Sequence, residues 1–159
     1  MRSPLVARIG RLDSEIIPSE QQMPSIKTFS VFGDRVDIFV DSATSHGLSS
    51  TLVQHVNPGG GPPPHSHINE DETFVALDSG FELLVNGTWA PLVVGEAAFA
   101  PRGSIHTFRN AGKTTARLLV VVTPGGFENY LQEIGPLSPA MDLGKIIEIS
   151  KRYGVTFHL

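Results

Sequence analysis

At 159 residues the chain has room for one domain that buries roughly 70% of its unfolded surface around a single core, and no room for a second full domain. Its formal charge is −4, and its 12 basic residues are scattered from Arg2 to Arg152 without forming a stripe that could track phosphates, which argues against nucleic-acid binding. There is no cysteine, so disulfides, zinc–thiolate sites and thiol nucleophiles are excluded, and histidine and carboxylate remain as the metal-binding side chains.

Residues 1–25 show little hydrophobic periodicity and read as an arm that packs on this subunit or on a neighbour. Arg8 and Arg11 interrupt the first apolar residues before they reach signal-peptide length, so a cytoplasmic location is expected. Residues 26–125 read as a β-barrel. Short β-branched or aromatic runs there are separated by Gly, Pro, Asn and Asp, which predicts strands over Thr28–Phe32, Arg35–Val40, Ser49–Val56, Glu72–Leu77, Phe81–Val85, Ala97–Ala100, His106–Arg109 and Thr115–Val122. Asn86-Gly87 predicts a hairpin turn, because both residues tolerate positive φ. Residues 58–64, Pro-Gly-Gly-Gly-Pro-Pro-Pro, predict a stiff extended loop that delivers His65 to the barrel at a defined point. The most apolar run, Leu118–Val122, is too short to cross a membrane and reads as a buried strand. Residues 126–159 read as a helical extension. Phe127, Tyr130, Leu131 and Ile134 fall at helical spacing, and a second helix follows Ser138-Pro139 with Leu143, Ile146, Ile147 and Tyr153 on one side. Both helices are expected to pack on the outside of the barrel and to carry no chemistry.

Half of the six histidines lie in two Gly/Pro-framed segments. His65 and His67 are two residues apart, so on an extended strand their imidazoles leave the same face, and Glu72 follows after four intervening residues. His106 comes much later, after the turn of Pro101-Arg-Gly-Ser-Ile, and only closure of the sheet could bring it beside the first pair. Three neutral imidazoles and a carboxylate make a mixed nitrogen and oxygen shell for a divalent transition metal, with room left for water or substrate. Glu70, Asp71 and Glu72 are adjacent, and spacing alone allows either Asp71 or Glu72 as the carboxylate.

These two segments resemble the two motifs of the cupin family. Gly59, His65, His67 and Glu72 match the first (G-x5-H-x-H-x4-E), with the closing glycine, Gly80, one place late; Gly95, Pro101, Gly103, His106 and Asn110 match the second at every fixed position. The resemblance implies an all-β fold, a double-stranded β-helix or jelly-roll barrel with short C-terminal helices, and implies His65, His67, Glu72 and His106 as metal ligands. It also implies a divalent transition metal (Fe, Mn, Ni, Co, Cu or Zn), and a homodimer.

His55, on the strand entering the loop, is a candidate contact to substrate or to a ligand, or else a surface histidine; His46 and His158 are expected in solvent. Trp89, Phe74, Phe99 and Phe108 read as core, with Phe74 and Phe108 candidates to line the cavity. Arg102 and Arg109 read as salt-bridged or solvated. The ligand set resembles that of small quercetinase-like cupins, which implies a dioxygenase acting on a small aromatic or enolic substrate, with Glu72 as the catalytic base. A redox-neutral isomerase or lyase, and a non-catalytic small-molecule or metal-binding protein, are the alternatives.

Overall fold

The protein is described by a computed structural model covering residues 26–159; the predicted arm over residues 1–25 lies outside the described residues. Alternation of apolar and polar side chains produces two antiparallel sheets whose apolar faces meet. The first sheet is formed by β1 (Lys27–Val31), β2 (Asp34–Val40), β3 (Ser50–Val56), β5 (Asp71–Ala76), β8 (Ala97–Ala100) and β10 (Ala116–Thr123), in the order β1-β2-β3-β10-β5-β8. The second is formed by β4 (His65–His67), β6 (Phe81–Val85), β7 (Thr88–Leu92), β9 (His106–Asn110) and β11 (Val155–Phe157), in the order β11-β4-β9-β6-β7. Two helices, α1 (Phe127–Ile134) and α2 (Pro139–Arg152), stand between β10 and β11. The architecture is the double-stranded β-helix expected from the motifs.

The core fills the space between the sheets. Leu52, Val56, Phe74, Ala76, Leu118 and Val120 face it from the first sheet, and Phe81, Leu83 and Phe108 face it from the second. Each large side chain of this set contributes about 1.5–3 kcal/mol on burial. All eight predicted strands are present within a residue or two of their expected ends. Three strands go beyond them: β4 is only three residues long and two of those are histidines, β7 contains Pro91 and lies at a sheet edge where proline is tolerated, and β11 follows a helix directly.

The helices differ from expectation. On α1, Phe127, Tyr130, Leu131 and Ile134 are buried, and they roof the barrel cavity instead of lying on its outer surface. On α2, Asp142 leaves helical geometry (φ −114°, ψ 18°), so Leu143 falls out of the buried stripe, which runs through Ile146 and Ile149. Two aromatic expectations are also corrected. Trp89 is 41% exposed on the edge strand β7, with the Arg109 guanidinium 4.4 Å above its ring, and Phe99 is 58% exposed on the outer face of the edge strand β8. Arg109 pairs with Glu82 and Arg102 with Asp71, as salt-bridged surface residues.

The proline-rich loop is fastened along β9 by backbone bonds. Gly59 N donates to the Asn110 carbonyl at 2.8 Å, Asn110 N donates to the Gly60 carbonyl at 3.0 Å, and the Thr107 hydroxyl donates to the Pro62 carbonyl at 2.5 Å. Fully buried Asn110 also donates to the carbonyls of Val56 and Thr114 and accepts from Gly112 N, which explains why an amide side chain closes the second motif. Loop and strand approach so closely that a Cβ on Gly61 would lie 2.0 Å from the Phe108 carbonyl oxygen, at a φ of +137°. Gly61→Ala is therefore expected to destabilise the protein by about 3 kcal/mol or more, read from the midpoint of urea unfolding.

Candidate metal centre

The strands bring His65, His67, Glu72 and His106 together. One ligand atom from each lies within 4.8 Å of all the others, and the four residues are between 1% and 7% exposed. His65 and His67 project from the same face of β4, Glu72 enters from β5 in the opposite sheet, and His106 stands directly across from His65 in the β4–β9 pairing. Asp71, one residue before Glu72, faces outward and accepts from Arg102 N and its guanidinium, so the alternation of β5 assigns the inward carboxylate to Glu72.

The hydrogen bonds around the rings set their tautomers. His65 Nδ1 lies 2.8 Å from the Pro63 carbonyl and His106 Nδ1 lies 3.0 Å from the Ser104 carbonyl. A carbonyl oxygen only accepts, so each Nδ1 carries a proton and each Nε2 is turned toward the cluster. His67 makes no such bond: its Nδ1 faces the Glu70 carboxylate at 3.5 Å and its Nε2 faces the cluster, 3.8 Å from Glu72 Oε2. Both ring nitrogens of His67 are buried without a hydrogen-bond partner. The Phe127 ring packs 4.7 Å from the His67 ring and the Phe157 ring 6.3 Å from the His65 ring, which limits reorientation of both imidazoles.

These donors fit a divalent ion. His106 Nε2 faces Glu72 Oε2 at 2.8 Å, so two lone pairs would confront each other unless a proton or a metal cation lies between them. Burial drives the His65 pKa down to about 3, and the neighbouring His67 and His106 rings add to the effect. For Glu72, burial raises the pKa, but the charge on His67 and the hydrogen bond from His106 outweigh it and hold the carboxyl at about 2. The His106 pKa is raised, because its bond to Glu72 more than offsets the burial that would lower it.

Two members of the cluster, His65 and Glu72, stand in the wall of a cavity of about 110 Å³. Phe74 and Phe108 line it, as do Phe127, Tyr130 and Leu131 from the roof helix. Asp34 and Gln54 also line it, and sequence reasoning singles out neither as a site residue. The signal for Gln54 is a polar residue at an inward position of β3, between Leu52 and Val56. His55 lies on the opposite face of that strand, outside the cavity lining, where its Nε2 bonds Asp37 Oδ2 at 2.8 Å; its place is the barrel exterior. His46 and His158 are exposed as expected.

Fold and donor set together define a class: double-stranded β-helix proteins that gather three histidines and one carboxylate from facing sheets as a candidate divalent-metal site. The family model described as "Cupin domain" matches residues 52–122. Protein SchB of Streptomyces halstedii is 30% identical over 105 residues, which cover 65% of this chain and 67% of that protein. This chain belongs to the cupin superfamily. Among solved structures, the TT1209 protein from Thermus thermophilus is 27% identical with a TM-score of 0.51, over 62% of this chain and 83% of the other. A predicted oxalate decarboxylase from Thermotoga maritima is 22% identical with a TM-score of 0.55, over 63% and 92%. The chain spans half or less of the length of three further curated relatives that it matches. No helix among the described residues is long and apolar enough to cross a membrane.

Two outcomes follow for the metal-free and metal-loaded protein. The unfolded chain takes up a proton at residue 65 below about pH 6.5 that the folded site refuses until about pH 3, so stability is expected to fall as pH drops through that window, read by urea unfolding at stepped pH. Metal uptake at neutral pH should displace the proton shared by His106 and Glu72, and calorimetry in buffers of different ionisation enthalpy should then show proton release.

Proposed function

We propose that this protein is a metal-dependent enzyme, of the oxidoreductase (dioxygenase) type, that binds an oxygenated aromatic or enolic group against His65 and Glu72. The observation that carries this reading is that two members of the cluster, His65 and Glu72, face a cavity lined by the aromatic rings of Phe74, Phe108, Phe127 and Tyr130, where a flat electron-rich group would stack while its oxygens meet the ligands. A bound divalent ion would lower the pKa of a substrate hydroxyl and polarise its carbonyl. The chain's own residues supply the rest. Glu72 accepts the substrate proton, the carbonyls of Pro63 and Ser104 accept from Nδ1 of His65 and His106 and hold those rings in one orientation, and the α1 roof limits the entry of bulk water.

A second reading, redox-neutral isomerisation or elimination on a small hydroxy or keto compound, is favoured by one specific contact. The 2.8 Å bond between Glu72 and His106 makes a buried proton relay that would operate without oxygen. The cavity limits the group that enters in either case, because about 110 Å³ is no more than the roughly 150 Å³ of a cavity that takes a single benzene, so it has room for one ring at most. It takes the oxygenated end of a substrate and excludes a multi-ring compound taken in whole.

Elemental analysis of protein purified without chelator or affinity metal should find about one transition ion per chain, lost in the His65→Ala, His106→Ala double variant. Oxygen uptake should follow with catechols or flavonols and fall by about 10²–10⁴-fold in Glu72→Gln, whose amide cannot accept the proton. Turnover of a hydroxy or keto compound with zinc under anaerobic conditions would replace the first reading by the second, and saturable binding without turnover would leave a binding protein.

A further inference from the structure

We propose that an apolar groove on the outside of the barrel is the second half of the substrate site, and that it holds the ring or rings of a multi-ring oxygenated aromatic compound whose first ring lies against His65 and Glu72. The proposal rests on the reading of the metal centre given above. The groove has a volume of about 250 Å³, more than twice that of the inner cavity. The two hollows are contiguous, because Phe32, Gly61 and Phe157 stand in the walls of both. The rest of the groove is also apolar, with Pro139, Leu143 and Leu159 among its lining residues and no charged side chain among the described residues of the lining. Leu143 is 46% and Leu159 83% exposed, so their faces are left to solvent by the fold that buries Ile146 and Ile149.

The partition is unusual in its chemistry. Phe32 and Gly33 are the central residues of the β1–β2 turn, with φ of +53° and +91°, the same left-handed pair found at Asn86 and Gly87 between β6 and β7, with φ of +49° and +85°. Asparagine suits that position, whereas a bulky phenylalanine is strained in it. Nothing about the hairpin requires the ring, but the ring forms part of the wall between cavity and groove. Opposite it, Phe157 sits beside His65 on β11. Both phenylalanines are half-buried, so a rotamer change of the two rings can open the barrier beside the fixed Gly61 backbone without breaking the sheets. The inner cavity is too small for a compound of two or more rings, and the apolar groove adjoining it supplies the missing volume with matching chemistry.

The test uses the full chain loaded with redox-inert zinc and titrates catechol and 3,4-dihydroxybiphenyl by calorimetry. The biphenyl should bind about tenfold or more tightly than catechol, since its second ring leaves water. Leu143→Asp and, independently, Leu159→Asp place a charge in the groove without touching the core; each should abolish that gain while leaving catechol affinity within about twofold. Equal affinities for the two compounds, or a gain that survives both substitutions, would overturn the groove assignment and leave the metal-centre reading intact. If neither compound binds, that reading itself fails, and the groove proposal fails with it. An unchanged gain together with a smaller sedimentation mass in Leu143→Asp would identify the groove as a contact between copies of the chain and overturn the proposal.

Discussion

Two lone pairs do not rest 2.8 Å apart in a dry pocket unless a positive charge lies between them, and the contact between His106 Nε2 and Glu72 Oε2 imposes that constraint on the whole barrel. Its two residues come from opposite sheets, so the packing distance of the sheets and the electrostatics of the site are set together. The surrounding backbone makes the contact unavoidable. The carbonyls of Pro63 and Ser104 each fix a ring by accepting its Nδ1 proton, and both belong to the Gly/Pro segments that the motifs mark. The two segments are also joined directly, since Gly103 N donates to the His67 carbonyl at 2.6 Å.

A second buried carboxylate governs the roof. Glu128, 2% exposed at the start of α1, accepts from Ser42 N and Oγ, from Ser50 Oγ and from Gly126 N. Burial alone would raise its pKa, but these donors lower it, so the charged form is the one the site is built around. The network connects the helix to a loop and to β3, and it places Phe127 on His67 and Tyr130 over the cavity. The roof is therefore held by polar bonds at its first turn and by apolar packing of Leu131 and Ile134 further along.

Most of this fold was legible because period-two alternation and Gly/Pro punctuation are local signals. Phe74 and Ala76 alternate with outward Thr73 and Val75, a pattern that marks β5 and puts Glu72 on its inward face. The features that escaped depend on information spread along the chain. The three residues of β4 and of β11 form strands because they pair with each other; the His-Ser-His of β4 lacks β-branched residues, and the Val-Thr-Phe of β11, though β-prone, is too short to declare itself. The apolar face of α1 was readable from spacing, but which surface it covers depends on buried Glu128, whose partners are 78 and 86 residues away. His55 shows the converse limit. Its strand was placed correctly, and the face it occupies was decided by Asp37 on the neighbouring strand.

The pairing of β11 with β4 ties the site to a strand that carries no ligand. Strand β4 pairs with β9 only at His65–His106, whereas three pairs, from Val155–His67 to Phe157–His65, join it to β11. The segment that holds two of the four ligands is thus backed on one side by residues about 90 positions further along, which reach it only across both helices. A change in the packing of α2 is therefore felt at the metal centre through the β4–β11 ladder, although no residue of that helix belongs to the ligand cluster.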